Sequence, residues 1–236
     1  MITLRKLFAG AVSIVVIGSF AACGGGGGKG GGKHQGDIST AVVDDAINAP
    51  LSTLSQPVKD TIAYMYSEEK LAHEVYLDVY AVQPQKQLYN IATRSEVEHM
   101  DAVNRLAIKY DLNITRYPDT VPPYDAEALA RFGDGQFPVE EVQYLYDTLY
   151  AKGITSAQDA LEVGCMVEVT DVNDLDRDIA LAEGDGAGDV VDIFNFLRDG
   201  SYNHYWAFDK GLKNMGISDG CCSLGDDYCH PEYPQR

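Results

Sequence analysis

Positively charged side chains are scarce in this sequence. Its 236 residues contain 18 Lys and Arg against 36 Asp and Glu, which gives a formal net charge of −18. A surface that binds nucleic acid needs clusters of positive charge to neutralise the phosphates. The charge balance therefore argues against nucleic acid as a partner and favours a surface that attracts cations.

Long hydrophobic runs are also lacking, apart from one near the N-terminus. There, Arg5 and Lys6 precede the apolar stretch LFAGAVSIVVIGSFAA, which is short for a membrane span and ends in small residues. This pattern predicts a signal peptide over residues 1–22. The segment FAAC resembles a bacterial lipobox, which implies cleavage before Cys23 and diacylglycerol on its thiol. An ordinary signal peptide cut near Ala22, leaving a free cysteine, is the alternative.

A glycine-rich segment, GGGGGKGGGKHQGD, follows Cys23 and is typical of a flexible coil. We interpret residues 23–55 as a tether between a lipid anchor and a folded domain. The membrane would then be a partner through the anchor, and the protein would lie on the periplasmic or extracellular side of the cell envelope. The sequence leaves the oligomeric state open, a dimer included.

Four long segments show the spacing of helices in a bundle, with apolar positions at alternating steps of three and four residues. They run from about Gln56 to Val82, from about Gln85 to Leu112, onward from Ser156, and onward from about Asp189. A long connection, about residues 113–155, contains a shorter predicted helix, VEEVQYLYDTLYAK. Two helical hairpins joined by one long crossover predict an all-α, ferritin-like four-helix bundle over residues 56–215.

Polar residues interrupt every apolar stripe near its middle, and we call them the polar layer. They are Glu69 on the first helix, Glu96 and His99 on the second, Glu168 and Asp171 on the third, and Ser201 and His204 on the fourth. Glu69 and His99 each lie about 13 residues from the turn between their helices, roughly 20 Å along the axis. We therefore expect the polar side chains to meet at one level.

Buried carboxylates must be neutralised, paired or bound to a metal ion. No Lys or Arg lies on these stripes near the polar layer. Two divalent ions would supply the missing charge, and carboxylates with imidazoles suit iron or manganese and also accept zinc. The predicted metal ligands are Glu69, Glu96, His99, Glu168, Asp171 and His204, with Tyr76 expected to hydrogen bond one of them. A metal-free, hydrogen-bonded polar core is the alternative.

The four motifs, taken in order, resemble the ferritin-like diiron-carboxylate superfamily. EEKLAHEVY looks like its first helix and SEVEHM like its second, while DALEVGCMVEVTDVNDL and LRDGSYNHYWAF look like the last two helices of a bacterial and archaeal branch, a domain of unknown function. The resemblance implies iron and, if the protein is an enzyme, ferroxidase- or peroxidase-like oxidation of Fe(II) by oxygen or peroxide. The alternative function is a non-catalytic envelope lipoprotein that binds a partner or a metal.

One departure from that superfamily concerns the second ion. Ser201 stands where the fourth helix usually carries the Glu of a Glu-x-x-His motif. Asp171, one helical turn beyond Glu168, is the carboxylate that would take its place. A one-metal site or an asymmetric pair is therefore an open alternative.

Four cysteines besides Cys23 remain, namely Cys165, Cys221, Cys222 and Cys229. Export favours disulfides, and four cysteines allow three pairings. Adjacent Cys221 and Cys222 are not expected to pair with each other, and a disulfide would pin the C-terminal tail, residues 216–236. A soft-metal site formed by Cys221, Cys222, Cys229 and His230 is the alternative.

Overall fold

Helices are the regular structure in the part of the chain that the computed structural model describes, residues 40–112, 114, 135–137 and 139–235, and no strand occurs there. In chain order they are α1 (Ala41–Asn48), α2 (Gln56–Val82), α3 (Lys86–Asn90), a π-helical turn (Ile91–Glu96), α4 (Val97–Lys109), α5 (Glu140–Gly153), α6 (Ala157–Gly184) and α7 (Gly188–Asn214). Two short 3₁₀ helices, Gly220–Leu224 and Asp226–Tyr228, follow. The all-α prediction is confirmed for these residues.

The ends of the long helices follow local chemistry. Pro57 lies in the first turn of α2, where a missing N–H costs nothing, and Pro84 follows its end. At the start of α6, the Ser156 hydroxyl accepts a hydrogen bond from the backbone N–H of Asp159 at 3.0 Å, as an N-cap does. Gly186, with a φ of 68°, makes the turn between α6 and α7.

The second predicted helix is not uniform. The sequence predicts one helix from about Gln85 to Leu112, whereas the structure has α3, the π-helical turn and α4, ending at Lys109. Asp111 follows with a φ of 53°, a left-handed conformation that cannot continue a right-handed helix.

Helix α1 is a feature that the sequence analysis did not predict, because its eight residues lie within the segment interpreted as tether. Val43 and Ala46 are buried, and α1 packs against α7 and α4. The described residues belong to one unit that extends from Ile38 to Arg236. The predicted signal peptide, Cys23 and the glycine-rich run lie outside the described residues. None of the described helices has both the length and the apolar composition needed to cross a membrane.

Two apolar clusters lie on either side of the polar layer. On α2, Ile62 and Met65 belong to one cluster and Val75 and Val79 to the other, with Glu69 between them. The same change of cluster occurs at or next to the polar layer on α6, on α7 and between the π-helical turn and α4. The polar residues therefore lie at a common level, between two apolar regions.

Candidate metal centre

Side chains from α2, the π-helical turn, α4, α6 and α7 converge in the polar layer. His99 Nδ1 lies 3.1 Å from Glu69 Oε2 and 3.2 Å from Glu96 Oε2. His204 Nδ1 lies 3.2 Å from Glu96 Oε1 and 3.3 Å from Glu168 Oε2. Five of the six predicted ligands thus form two groups, a first group (Glu69, Glu96, His99) and a second group (Glu96, Glu168, His204). In each group, one carboxylate oxygen or imidazole nitrogen from every residue lies within 4.8 Å of the others. Glu96 belongs to both groups.

Asp171, the sixth predicted ligand, lies beside these groups and belongs to neither. Its Oδ2 accepts a hydrogen bond from the Ser201 hydroxyl at 2.5 Å. Burial, followed by the negative charge of Glu69, raises the pKa of Asp171 well above its ordinary value. Ser201 therefore holds a carboxyl group next to the centre, and Glu96 is the carboxylate that lies between the two imidazoles.

The π-helical turn sets the position of Glu96, its last residue. His73 on α2 has its Nδ1 2.8 Å from the carbonyl oxygen of Ala92, which lies in this turn. A π-turn changes the hydrogen-bonding pattern locally and often occurs at functional sites. His99 follows three residues after Glu96, so that both side chains leave the same face and reach the polar layer.

Two hydroxyl groups hold the side chains of the second group. Tyr76 donates its hydroxyl to Glu168 Oε1 at 2.5 Å, the kind of contact that the sequence analysis expected of it. Ser95 Oγ lies 2.6 Å from His204 Nε2, on the opposite side of the ring from the two carboxylates. With a metal at Nδ1, the Nε2–H would donate to Ser95 and fix the ring orientation. Sequence reasoning missed Ser95 because it lies off the apolar stripe.

The polar layer requires positive charge. Burial raises the pKa of Glu69 to about 7 and also raises that of Glu168. Burial by itself lowers the pKa of His204, but Glu168 and Glu96 raise it to about 10. Burial acts to raise the pKa of Glu96, yet the imidazolium groups of His204 and His99 outweigh it and hold the pKa below its ordinary value. Without a metal, protons on the histidines supply the charge.

The donor set fits divalent metal ions. Glu69 Oε1 is buried and accepts no hydrogen bond within the described residues. Glu96 Oε1 is also buried, and its 3.2 Å approach to His204 Nδ1 lacks the geometry of a hydrogen bond. Buried carboxylate oxygens without partners are costly, so a cation that replaces the histidine protons would stabilise them. Carboxylate oxygens with imidazole nitrogens suit iron, manganese or zinc.

The four cysteines of the folded unit form disulfides in the structure. Cys165 is joined to Cys221 and Cys222 to Cys229, while adjacent Cys221 and Cys222 are not joined to each other. His230 Nδ1 lies 2.8 Å from Glu232 Oε1. Because a metal binds the free thiolate of cysteine, the structure does not support the alternative of a soft-metal site in the tail.

Comparison with known proteins places the folded unit in a family. The family described as an uncharacterized protein domain, DUF2202, matches residues 58–227. Uncharacterized protein MJ0754 of Methanocaldococcus jannaschii is 35% identical over 167 residues, which are 71% of this chain and 81% of that protein. The crystal structure of hypothetical protein MJ0754 from Methanococcus jannaschii DSM 2661 matches with a TM-score of 0.60 over 72% of this chain and 87% of that chain. The chain belongs to the DUF2202 family.

Proposed function

We propose that residues 56–215 form a ferritin-like four-helix bundle that binds two divalent metal ions in its polar layer, iron being the ion that the sequence resemblance implies. The observation that carries this proposal is the position of Glu96 between two imidazoles. Each of its oxygens faces a different histidine, so that Glu96 would offer one oxygen to each of two ions. Glu69 and His99 would complete the ligands of one ion, and Glu168 and His204 those of the other.

The proposed reaction is oxidation of Fe(II) by oxygen or peroxide, and it rests on the resemblance. Bound iron would supply the one-electron chemistry. The chain would hold the ions through Glu69, Glu96 and Glu168, orient the imidazoles so that Nδ1 faces inward, and exclude water with the two apolar clusters. Buried ligands in a dry site interact more strongly with a cation than exposed ones do.

Metal analysis of protein purified without chelator tests the binding proposal. Two ions per chain are expected for the wild type, and anaerobic titration with Fe(II) should saturate at the same ratio. Glu96→Gln should lose both ions because Glu96 serves both groups. Glu98→Gln is the matched control, since Glu98 is exposed and lies two residues away.

The outcomes separate the alternatives. Absence of metal binding in the wild type would support a metal-free polar core, for which the four short imidazole–carboxylate contacts provide the pairing. Tight zinc binding with no consumption of oxygen after Fe(II) addition would support a non-catalytic metal-binding protein. Fe(II) oxidation faster than in protein-free buffer, and lost in Glu96→Gln, would support the enzyme.

For its location, we propose an exported lipoprotein anchored through Cys23. The basic residues, the apolar stretch and the lipobox-like FAAC support this proposal, and disulfides persist in compartments outside the cytosol. Expression in a bacterium supplied with labelled palmitate should label the wild type and leave Cys23→Ser unlabelled. Equal labelling of the two, or release of the wild type as soluble protein, would contradict the proposal.

A further inference from the structure

Gly200 on α7 lies directly against the imidazole of His99. A Cβ placed on Gly200 would be 2.3 Å from His99 Nε2 and 2.5 Å from its Cε1. Carbon atoms do not approach a ring this closely, so a larger residue at this position must displace the imidazole. Because glycine weakens a helix interior by about 1 kcal/mol relative to alanine, its presence here has a local cost that the space for His99 explains.

The contact with Gly200 fixes the direction in which His99 points. The Nε2 edge of the ring rests against the α7 backbone, while Nδ1 faces Glu69 and Glu96. Phe196, one turn earlier on α7, meets the same ring edge-on with the ring centroids 5.6 Å apart. Packing against α7 thus holds His99 in place.

His204 is held by different means. Its Nε2 lies 2.6 Å from the hydroxyl of Ser95, which belongs to the π-helical turn and not to α7. The three atoms nearest to a Cβ at Gly200 all belong to the His99 ring. A change at Gly200 should therefore disturb the first group and leave the second group in place.

We propose that Gly200 is a positioning residue that decides whether the first group, Glu69, Glu96 and His99, can hold a metal ion. The inference rests on the proposed metal-binding function. The methyl group of alanine would push the His99 ring away from α7 and move Nδ1 out of line with its two carboxylates. Gly200→Ala then converts a two-ion centre into a one-ion centre at the second group.

Zinc titration of the full chain by calorimetry, with metal analysis of the product, tests this inference. The wild type should bind two zinc ions and Gly200→Ala one. Gly188→Ala is the matched control on the same helix, because a Cβ at Gly188 meets no atom within 4 Å. It should bind two ions. Two ions bound by Gly200→Ala with unchanged affinities would overturn the inference.

A second readout does not need a metal. In long-range proton–nitrogen NMR spectra of the metal-free proteins, Gly200→Ala should shift the imidazole signals of His99 and shift those of His204 less, since the two ring centroids are 5.4 Å apart. Unmoved His99 signals would also overturn the inference. If the wild type binds no zinc, the proposed function fails, while these spectra still decide whether Gly200 positions His99.

A double variant covers the case in which Gly200→Ala does not fold. His99→Ala removes the ring that the new methyl group would strike, so adding Gly200→Ala to it should cause no further drop in the thermal unfolding midpoint. Such non-additivity is expected of residues in direct contact. A double variant with a clearly lower midpoint than His99→Ala alone would show that Gly200 acts on something other than His99.

Discussion

At the scale of single residues, Tyr76 is the clearest support of a candidate ligand. Its side chain is fully buried, and burial, together with Glu168 and Glu96, raises its pKa well above the ordinary value, so that it remains a neutral donor to Glu168. Tyr76→Phe leaves Glu168 Oε1 buried without a donor. We expect the free energy of unfolding to fall by about 1–2 kcal/mol and the metal affinity to fall about 10- to 100-fold.

Urea unfolding and competition with a chelating dye measure these two quantities. Tyr144→Phe is the control, because Tyr144 is 62% exposed. It should match the wild type in both measurements. A Tyr76→Phe protein with wild-type metal affinity would mean that the hydroxyl does not orient a ligand.

The predicted ligands could be identified from the sequence because each interrupts an apolar stripe, and a carboxylate or imidazole at a buried position needs a partner. Two residues that contact the predicted ligands could not be identified in this way. Ser95 lies off its stripe, and Gly200 has no side chain whose chemistry would mark it. Asp171 shows the limit of the stripe rule, since it shares the stripe with Glu168 yet accepts a hydrogen bond from Ser201 and belongs to neither group.

At the scale of helices, the sequence predicted α2 and α6 well and α1 not at all. Proline residues mark both ends of α2, and Ser156 caps α6. Helix α1 has eight residues, of which only Val43 and Ala46 are buried, too few for periodicity to be recognised. The π-helical turn also escaped prediction, because its apolar positions, such as Ile91 and Ala92, fit an α-helical stripe as well.

A second buried acidic cluster joins α2 to α6. Arg177 contacts Asp174 Oδ1 at 2.5 Å and Asp178 Oδ1 at 3.0 Å. The other oxygens of these two carboxyl groups, and Glu68 Oε2, are buried without a hydrogen-bond partner in the described residues. Burial raises the pKa of Glu68 well above its ordinary value and that of Asp178 to about 6.

Asp178 predicts a pH dependence of stability. Its folded-state pKa of about 6 exceeds the ordinary value of 3.8, so its contribution to stability is full below pH 3.8 and is lost as the pH rises through 6. Above pH 6 the ionised carboxylate costs roughly 1–3 kcal/mol. Asp178→Asn should therefore gain stability relative to the wild type between pH 4 and pH 7, by about that amount.

Urea unfolding of metal-free protein across this pH range measures the difference. Asp192→Asn on α7 is the control, because it makes the same chemical change at an exposed position. A constant difference for Asp178→Asn would show that Arg177 and water compensate the buried charge, and that the carboxyl group titrates as it does in the unfolded chain.

At the scale of the whole molecule, the position of the polar layer along the helices could be predicted from the sequence, whereas the packing of the C-terminal tail could not. Counting residues from the connection between two helices gives the distance of a side chain along the helix axis, because an α-helix rises by a fixed amount per residue. The tail has no such period. Tyr233 is nevertheless buried in an apolar cluster, and Trp206 donates its indole N–H to the Tyr233 carbonyl at 3.1 Å.

The two disulfides should differ in what they contribute to stability. Cys165 and Cys221 are separated by 56 residues in sequence, Cys222 and Cys229 by 7, and the first pair ties the tail to the helix that carries Glu168. In the chain-entropy account a disulfide that closes a longer loop restricts the unfolded chain more, by about 2 kcal/mol for this difference in loop length. We expect Cys165→Ala with Cys221→Ala to lower the free energy of unfolding by about 2–5 kcal/mol, and Cys222→Ala with Cys229→Ala to lower it less.

Urea unfolding measures both losses. A reducing agent should lower the free energy of unfolding of the wild type to that of the Cys165→Ala, Cys221→Ala variant or below it. Equal losses for the two pairs, or no effect of the reducing agent, would mean that packing of residues such as Tyr233 holds the tail without its covalent link to α6.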